Sequence, residues 1–295
     1  MKRLRAEFAL AGVTVLWGTT FVVVKNALAD VSTFVFLSLR FWLAALALTA
    51  IYFSALRKSR LRILPGLIAG LFLFAGFALQ TLGLARTTPS KSAFLTGLSI
   101  PLVPFVTSAV YRTWPRGVEV LGIGIASAGM ALMTLPAAAS GWQWDVSTGD
   151  LLSFLCAVAF AIHIVAVGHY AQAEGFQALA VVQVAVAAVL ASAFVSFAEP
   201  VRLHLTLGLA LAVLMTGLLA TALAFTTQAW AQQYTSATRA ALIYTLEPPV
   251  AWFTSYLLTG EKMANRGKIG AAMILVGILT VELTRVTIPS LRTSE

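Results

Sequence analysis

The chain has 295 residues, 59% of them hydrophobic and 11% charged, with a mean hydropathy of +0.89. A soluble domain carries about 25% charged residues, so this composition cannot clothe a water-facing surface and excludes an ordinary soluble protein. The net charge of +9 does not point to nucleic acid, because the basic residues cluster between apolar runs, as in loops that face cytoplasm and anionic lipid.

The first apolar run, 8–27, follows the basic stretch "MKRLR" and ends near "ALAD" (Ala27–Asp30), imitating a secretory signal. Its apolar core from Phe8 to Val24 is longer than the roughly 7–15 residues of such signals, so it is read as a retained span. Runs 34–56, 63–85, 93–111 and 118–135 follow, then 151–171, 178–198, 207–230, 240–258 and 267–284. Each is long enough to cross a bilayer, and period-2 alternation is absent, which argues for helices over a β-barrel. The connections are too short to hide a soluble domain. Cys156, the single cysteine, lies inside an apolar run and reads as a packing residue.

Loop charge sets the expected topology. With the N-terminus inside, cytoplasmic segments of the first half hold nine basic residues (2, 3, 5, 57, 58, 60, 62, 112, 116) and external ones hold Lys25, Arg86 and Lys91. The second half is nearly balanced, with Arg239, Arg285 and Arg292 inside against Arg202, Lys262, Arg266 and Lys268 outside. A multi-pass protein of the inner membrane with both termini cytoplasmic is expected.

The halves resemble each other. At an offset of 147, "TPSKSAFLTGLSIPLVPFVTS" (88–108) falls on "TSATRAALIYTLEPPVAWFTS" (235–255), matching Thr88 with Thr235, Ala93 with Ala240 and Pro101 with Pro248. After one residue of slippage, Gly122 and Gly129 meet Gly270 and Gly277. Five runs per half invert the second half relative to the first. The expected fold class is therefore an all-α integral membrane protein: ten transmembrane helices as two inverted five-helix repeats, 1–140 and 148–286.

Pro101 and Pro104 in the fourth run, and Pro248 and Pro249 in the ninth, interrupt corresponding helices near mid-membrane. Freed carbonyls in lipid must find partners, so such breaks face other helices or a wet cavity, and paired breaks point to a binding site. A kink that only shapes packing is the plainer alternative.

The segments "LWGTTFVVVKNAL" (16–28), "LRFWLAALAL" (39–48), "TTPSKSAFLTGLSIPLVP" (87–104) and "YTSATRAALIYTLEPPVAWFTSYLLTGEKM" (234–263) resemble the drug/metabolite transporter superfamily, specifically its EamA-type permeases. The resemblance covers nearly the whole chain. Its most specific part is the second-repeat segment with Glu247-Pro248 and Gly260-Glu261; "YRTWPR" (111–116) lacks the Gly-Glu pair. It implies a ten-helix fold and export or exchange of small organic metabolites. Amino acids, nucleotide-like compounds and drugs all accompany such motifs, so the substrate stays open.

Charges inside spans are functional candidates by default. Glu247, mid-way along the ninth run, reads as a substrate-ammonium or proton site, or as a buried acceptor that fixes the break. Arg40, in "SLRFW", reads as a contact for a substrate carboxylate, as a snorkelling side chain, or as Glu247's ion-pair partner. His163 is a proton carrier or a hydrogen-bonded neutral group. Trp17, Thr20, Phe21, Gln80, Phe94, Gln183, Trp230 and Tyr244 are candidates to line an apolar cavity with a few polar contacts, although single aromatics also serve packing or lipid contact. Tyr244 lies three residues before Glu247, on the same helix face. Lys25 and Glu282 lie near helix ends and read as solvated. "GLIAG" (Gly66–Gly70) reads as close helix packing.

The expected function is a secondary transporter exporting or exchanging an amino-acid-like solute or drug by alternating access, with a small molecule and the bilayer as partners and with no cofactor, metal or nucleic acid. The oligomeric state, a homodimer included, stays open. The alternatives are a membrane-embedded enzyme or a lipid flippase. No nucleophile–base grouping is visible for the first, and no Walker-type loop for ATP. Sideways-opening grooves for the second are not legible in a sequence.

Overall fold

The computed structural model of the chain describes residues 2–58, 63–87, 89–112, 114–134, 147–173, 175–197, 199–259 and 265–283. Gly260-Glu261, Lys262, Arg60, Arg62, Arg285, Arg292 and Thr88 of the sequence reading lie outside these residues, as do the repeat edges 135–140 and 284–286.

The first half forms α1 (Lys2–Ala27), α2 (Thr33–Lys58), α3 (Ile63–Arg86), α4 (Pro89–Gly97), α5 (Ser99–Tyr111) and α6 (Gly117–Thr134). The second forms α7 (Thr148–Ala173), α8 (Phe176–Phe194), α9 (Leu207–Leu214), a π-helical segment (Met215–Leu223), α10 (Ala224–Ala231), α11 (Ala237–Tyr244), α12 (Glu247–Thr259) and α13 (Asn265–Leu283). The described residues are all-helical apart from one antiparallel bridge, Val31 with Leu203. Helices satisfy their backbone groups internally, which lipid demands. Large apolar side chains such as Leu46, Phe105, Leu211 and Leu275 project outward, as hydrocarbon contact allows.

Among the described residues seven helical stretches are long and apolar enough to cross a membrane: Lys2–Ala27, Thr33–Arg57, Ile63–Arg86, Ser92–Tyr111, Thr148–Ala171, Phe176–Phe194 and Leu207–Ala231. Gly117–Leu132 is apolar but shorter. The expected run 240–258 is divided between α11 and α12, and α13 carries Arg266 and Lys268 at its start and Glu282 at its end.

Three runs that read as continuous helices are not. Run 93–111 breaks at Leu98, run 240–258 breaks at Thr245–Leu246, and run 207–230 changes register through the π-helical segment. Both breaks close with tight i→i−3 bonds: Leu98 N to Leu95 O, Thr245 N to Leu242 O and Leu246 N to Ile243 O. The interruptions therefore precede the prolines. Pro101, Pro248 and Pro249 occupy the first turns of α5 and α12, where an amide would have no intrahelical partner anyway. Pro104 lies inside α5 without ending it.

Packing brings the halves together pair by pair: α6 against α13, α2 against α8, α5 against α11 and α4 against α12. Glycines set the closest approaches. A Cβ on Gly122 would lie 2.7 Å from the Gly277 carbonyl oxygen, and one on Gly129 would lie 2.6 Å from that of Gly270, so α6 and α13 touch backbone to backbone. Gly70 admits α8 in the same way, with Gln183 O 2.7 Å from where its Cβ would stand.

Candidate functional site

A cavity lies between α1, α2, α3, α7, α10 and the breaks of α4–α5 and α11–α12, with about 760 Å³ of empty space when its mouth is counted. On α1 its wall is Trp17, Thr20, Phe21 and Val24, and on α3 it is Phe77, Gln80, Thr81 and Leu84, each set one helix face at spacings of three and four. Phe160 and His163 enter from α7, Phe225 and Gln228 from α10. The two breaks contribute Thr96 and Ser99 on one side and Tyr244 and Glu247 on the other. Gly18 lets α12 come this close to α1: a Cβ there would stand 2.8 Å from the Val250 side chain and 3.0 Å from Glu247 O.

An acid and a base face the cavity, Glu247 and Arg40, and neither has an ion-pair partner among the described residues. Arg40 is 2% exposed. Its Nε donates to Thr221 Oγ1 at 2.7 Å, its Nη2 to Ala220 O at 3.4 Å, and its guanidinium lies 4.3 Å from the centre of the Phe77 ring. No carboxylate pairs with Arg40 and no protein acceptor meets Nη1 among the described residues. The Glu247 carboxylate, half-buried, has no hydrogen-bond or ion-pair partner among them either. The Tyr244 hydroxyl and Gln228 Oε1 are buried without hydrogen-bond partners among the described residues. In a medium of low dielectric, unpaired polar groups around one hollow are a demand for a polar occupant.

Eight of the eleven residues singled out in the sequence line this cavity: Trp17, Thr20, Phe21, Arg40, Gln80, His163, Tyr244 and Glu247. Three do not. Phe94 belongs to the apolar core that holds Ile100 and Met130, because Thr96 and Gly97 take the cavity face of α4. Gln183 stands behind His163, its Oε1 2.9 Å from Nε2. Trp230 is two residues beyond Gln228, on another face of the helix, and its ring meets Tyr234 at 5.7 Å. Of the alternatives weighed for Arg40, the ion pair with Glu247 is not formed among the described residues. Lys25, read as solvated, instead donates to Leu84 O, Ala85 O and Thr87 O at 2.7, 3.2 and 3.0 Å, capping the end of α3.

Phe77, Phe160, Phe225, Gln228 and the Arg40 acceptors Ala220 and Thr221 are not among the candidates singled out in the sequence. A signal existed for two of them: Phe77 precedes Gln80, and Phe160 precedes His163, by three residues, so each shares a face with a polar candidate. Thr221 had none, because the change to π register is not written in any residue pattern.

The family model of the EamA-like transporter family matches the chain twice, over residues 4–135 and 147–283. An uncharacterized transporter of Archaeoglobus fulgidus is 31% identical over 283 residues, covering 96% of this chain and 87% of that protein. The uncharacterized transporter YyaM of Bacillus subtilis is 26% identical over 306 residues, covering 100% and 99%. A solved crystal structure shares the fold with a TM-score of 0.78 at 18% identity, covering 95% of this chain and 98% of the other. Matched along nearly its whole length, the chain belongs to the EamA-like transporter family and is a multi-pass membrane transporter.

Proposed function

We propose that the chain is a secondary transporter that exports or exchanges a small amino-acid-like zwitterion across the inner membrane by alternating access. The observation that carries this reading is the pair Arg40 and Glu247, opposite charges facing one cavity, each without a counter-ion among the described residues. Either charge alone is expensive at membrane depth. A solute bearing both a carboxylate and an ammonium supplies the missing partner to each. The walls of Trp17, Phe21, Phe77, Phe160 and Phe225 suit an apolar side chain.

The architecture we assign is ten spans in two inverted five-helix repeats, 1–140 and 148–286. Several observations support it. The family model matches once in each half. The break at Leu98 maps onto Thr245 at the sequence offset of 147. The glycines that align in sequence also touch crosswise, Gly122 on Gly277 and Gly129 on Gly270, as residues related by a two-fold do. In this reading both termini are cytoplasmic, and the cavity wall on α1, Trp17 to Val24, lies in the outward half of that helix. The inward end is closed by Arg239 of α11, held between Glu7 of α1 at 3.3 Å and Glu119 of α6 at 3.9 Å.

The test is flux in proteoliposomes with three probes: L-phenylalanine, its decarboxylated amine phenethylamine, and its deaminated acid 3-phenylpropionate. The expected order is phenylalanine above both single-charge analogues. Equal uptake of all three, or of none, overturns the zwitterion reading.

A further inference from the structure

Arg40 is oriented in an unusual way. Most buried arginines are fixed by carboxylates, which neutralise the charge as they orient it. Here every partner of the guanidinium among the described residues is neutral: the Thr221 hydroxyl on Nε, the Ala220 carbonyl on Nη2, the Phe77 ring against its face and, at 5.9 Å, the Phe41 ring. Such a cradle fixes the plane of the fork and leaves the charge available.

The hydroxyl's role is itself determined. Thr221 Oγ1 donates its one proton to Thr216 O at 2.7 Å, so toward Arg40 it can act only as acceptor. That donation spans five residues, the spacing of the π-helical segment; Thr216, at the start of the segment, makes the ordinary four-residue bond to Ala212 O, also at 2.7 Å. The Ala220 carbonyl serves Trp17 as well, accepting from Nε1 at 2.9 Å, so the segment also fixes an aromatic wall of the cavity. Gly217 lets α2 approach: a Cβ there would lie 3.1 Å from Arg40 O and 2.9 Å from Leu43 Cδ2. π-helical turns recur at functional sites, and this one places acceptors where Arg40 needs them.

We propose that Thr221 is a positioning residue for anion recognition: presented by the π-helical segment, its hydroxyl orients the Arg40 guanidinium toward a substrate carboxylate without neutralising it. This rests on the reading of Arg40 as the carboxylate contact.

The test compares Thr221→Val, Thr221→Ser and Arg40→Gln in proteoliposomes with the same three probes. Thr221→Val keeps the shape and removes the acceptor. It is expected to raise the half-saturation concentration of L-phenylalanine and 3-phenylpropionate by about tenfold, the scale of a hydrogen bond to a charged group, and to leave phenethylamine within about twofold. Thr221→Ser restores the wild-type ratio of acid to amine. A loss of equal size for all three probes means Thr221 only supports the fold and overturns the inference, as does no change for any. The phenethylamine arm reports on folding; if the valine variant does not reach the membrane, Thr221→Ala carries the same comparison. Arg40→Gln separates the two levels: if it leaves the carboxylate preference intact, the reading of the site fails, whereas if it abolishes the preference while Thr221→Val does not, only the positioning role fails.

Discussion

Arg40 and Arg239 are both 2% exposed, and they differ in company. Arg239 lies between two carboxylates, Glu7 and Glu119, with Arg3 joining Glu7 from the exposed side at 3.0 Å. Among the described residues Arg40 meets neutral groups alone: a hydroxyl, a carbonyl and two rings. Burial alone therefore does not set the two apart; the partners do, and on the proposed function Arg40 is the one left for a solute. Removing one member of a buried ion pair orphans the other, so Arg239→Met should lower unfolding free energy by about 3–5 kcal/mol, the largest effect expected here. The combined Arg239→Met, Glu7→Gln protein should recover part of it. Both are read by reversible unfolding in mixed micelles. A small loss from Arg239→Met would break the comparison.

Arg40→Met orphans no carboxylate, so its stability should stay level or rise by about 1 kcal/mol, while transport of a carboxylate-bearing probe falls by about a hundredfold. On the proposed function, stability and transport should move apart at Arg40 and together at Arg239. Glu247→Gln sharpens the other half of the site. The amide keeps the size and loses the charge, and uptake of phenethylamine should fall about tenfold while 3-phenylpropionate is spared. Equal effects on the two probes would mean that Glu247 does not meet an ammonium.

How much of this was legible beforehand follows from which physical rule each residue obeys. Membrane character and helical class followed from composition, because lipid admits few backbone solutions. Glu247 and Arg40 stood out because charges inside apolar runs are costly and therefore informative. The face shared by Tyr244 and Glu247 followed from their spacing of three. Phe94 and Trp230 misled because an aromatic residue in a span looks the same whether it faces a cavity, a core or lipid. The breaks were expected at the prolines and lie ahead of them, since proline is tolerated in a first turn and restricts what precedes it. The π-helical segment was invisible: Leu207–Ala231 reads as one apolar helix, and only three-dimensional contact with Arg40 and Trp17 gives Thr221 and Ala220 their meaning.

Lys25 tests whether neutral partners are by themselves the mark of a functional cation. Like Arg40 it is held without a carboxylate among the described residues, by Leu84 O, Ala85 O and Thr87 O. Unlike Arg40 it is used up: an ammonium has three protons, and three carbonyls at the end of α3 take them, whereas Arg40 Nη1 meets no acceptor among the described residues. Between these two cations, the one whose donors are all taken up reads as structural, and the one with a spare donor has room for a ligand. Lys25→Met should therefore cost about 1–2 kcal/mol through the lost charge-assisted bonds and the uncompensated helix end. The ratio of phenylalanine to phenethylamine uptake should not change. If that ratio shifts by as much as it does in Thr221→Val, the count of spare donors does not separate the two cations, and Lys25 belongs to solute recognition as much as Arg40 does.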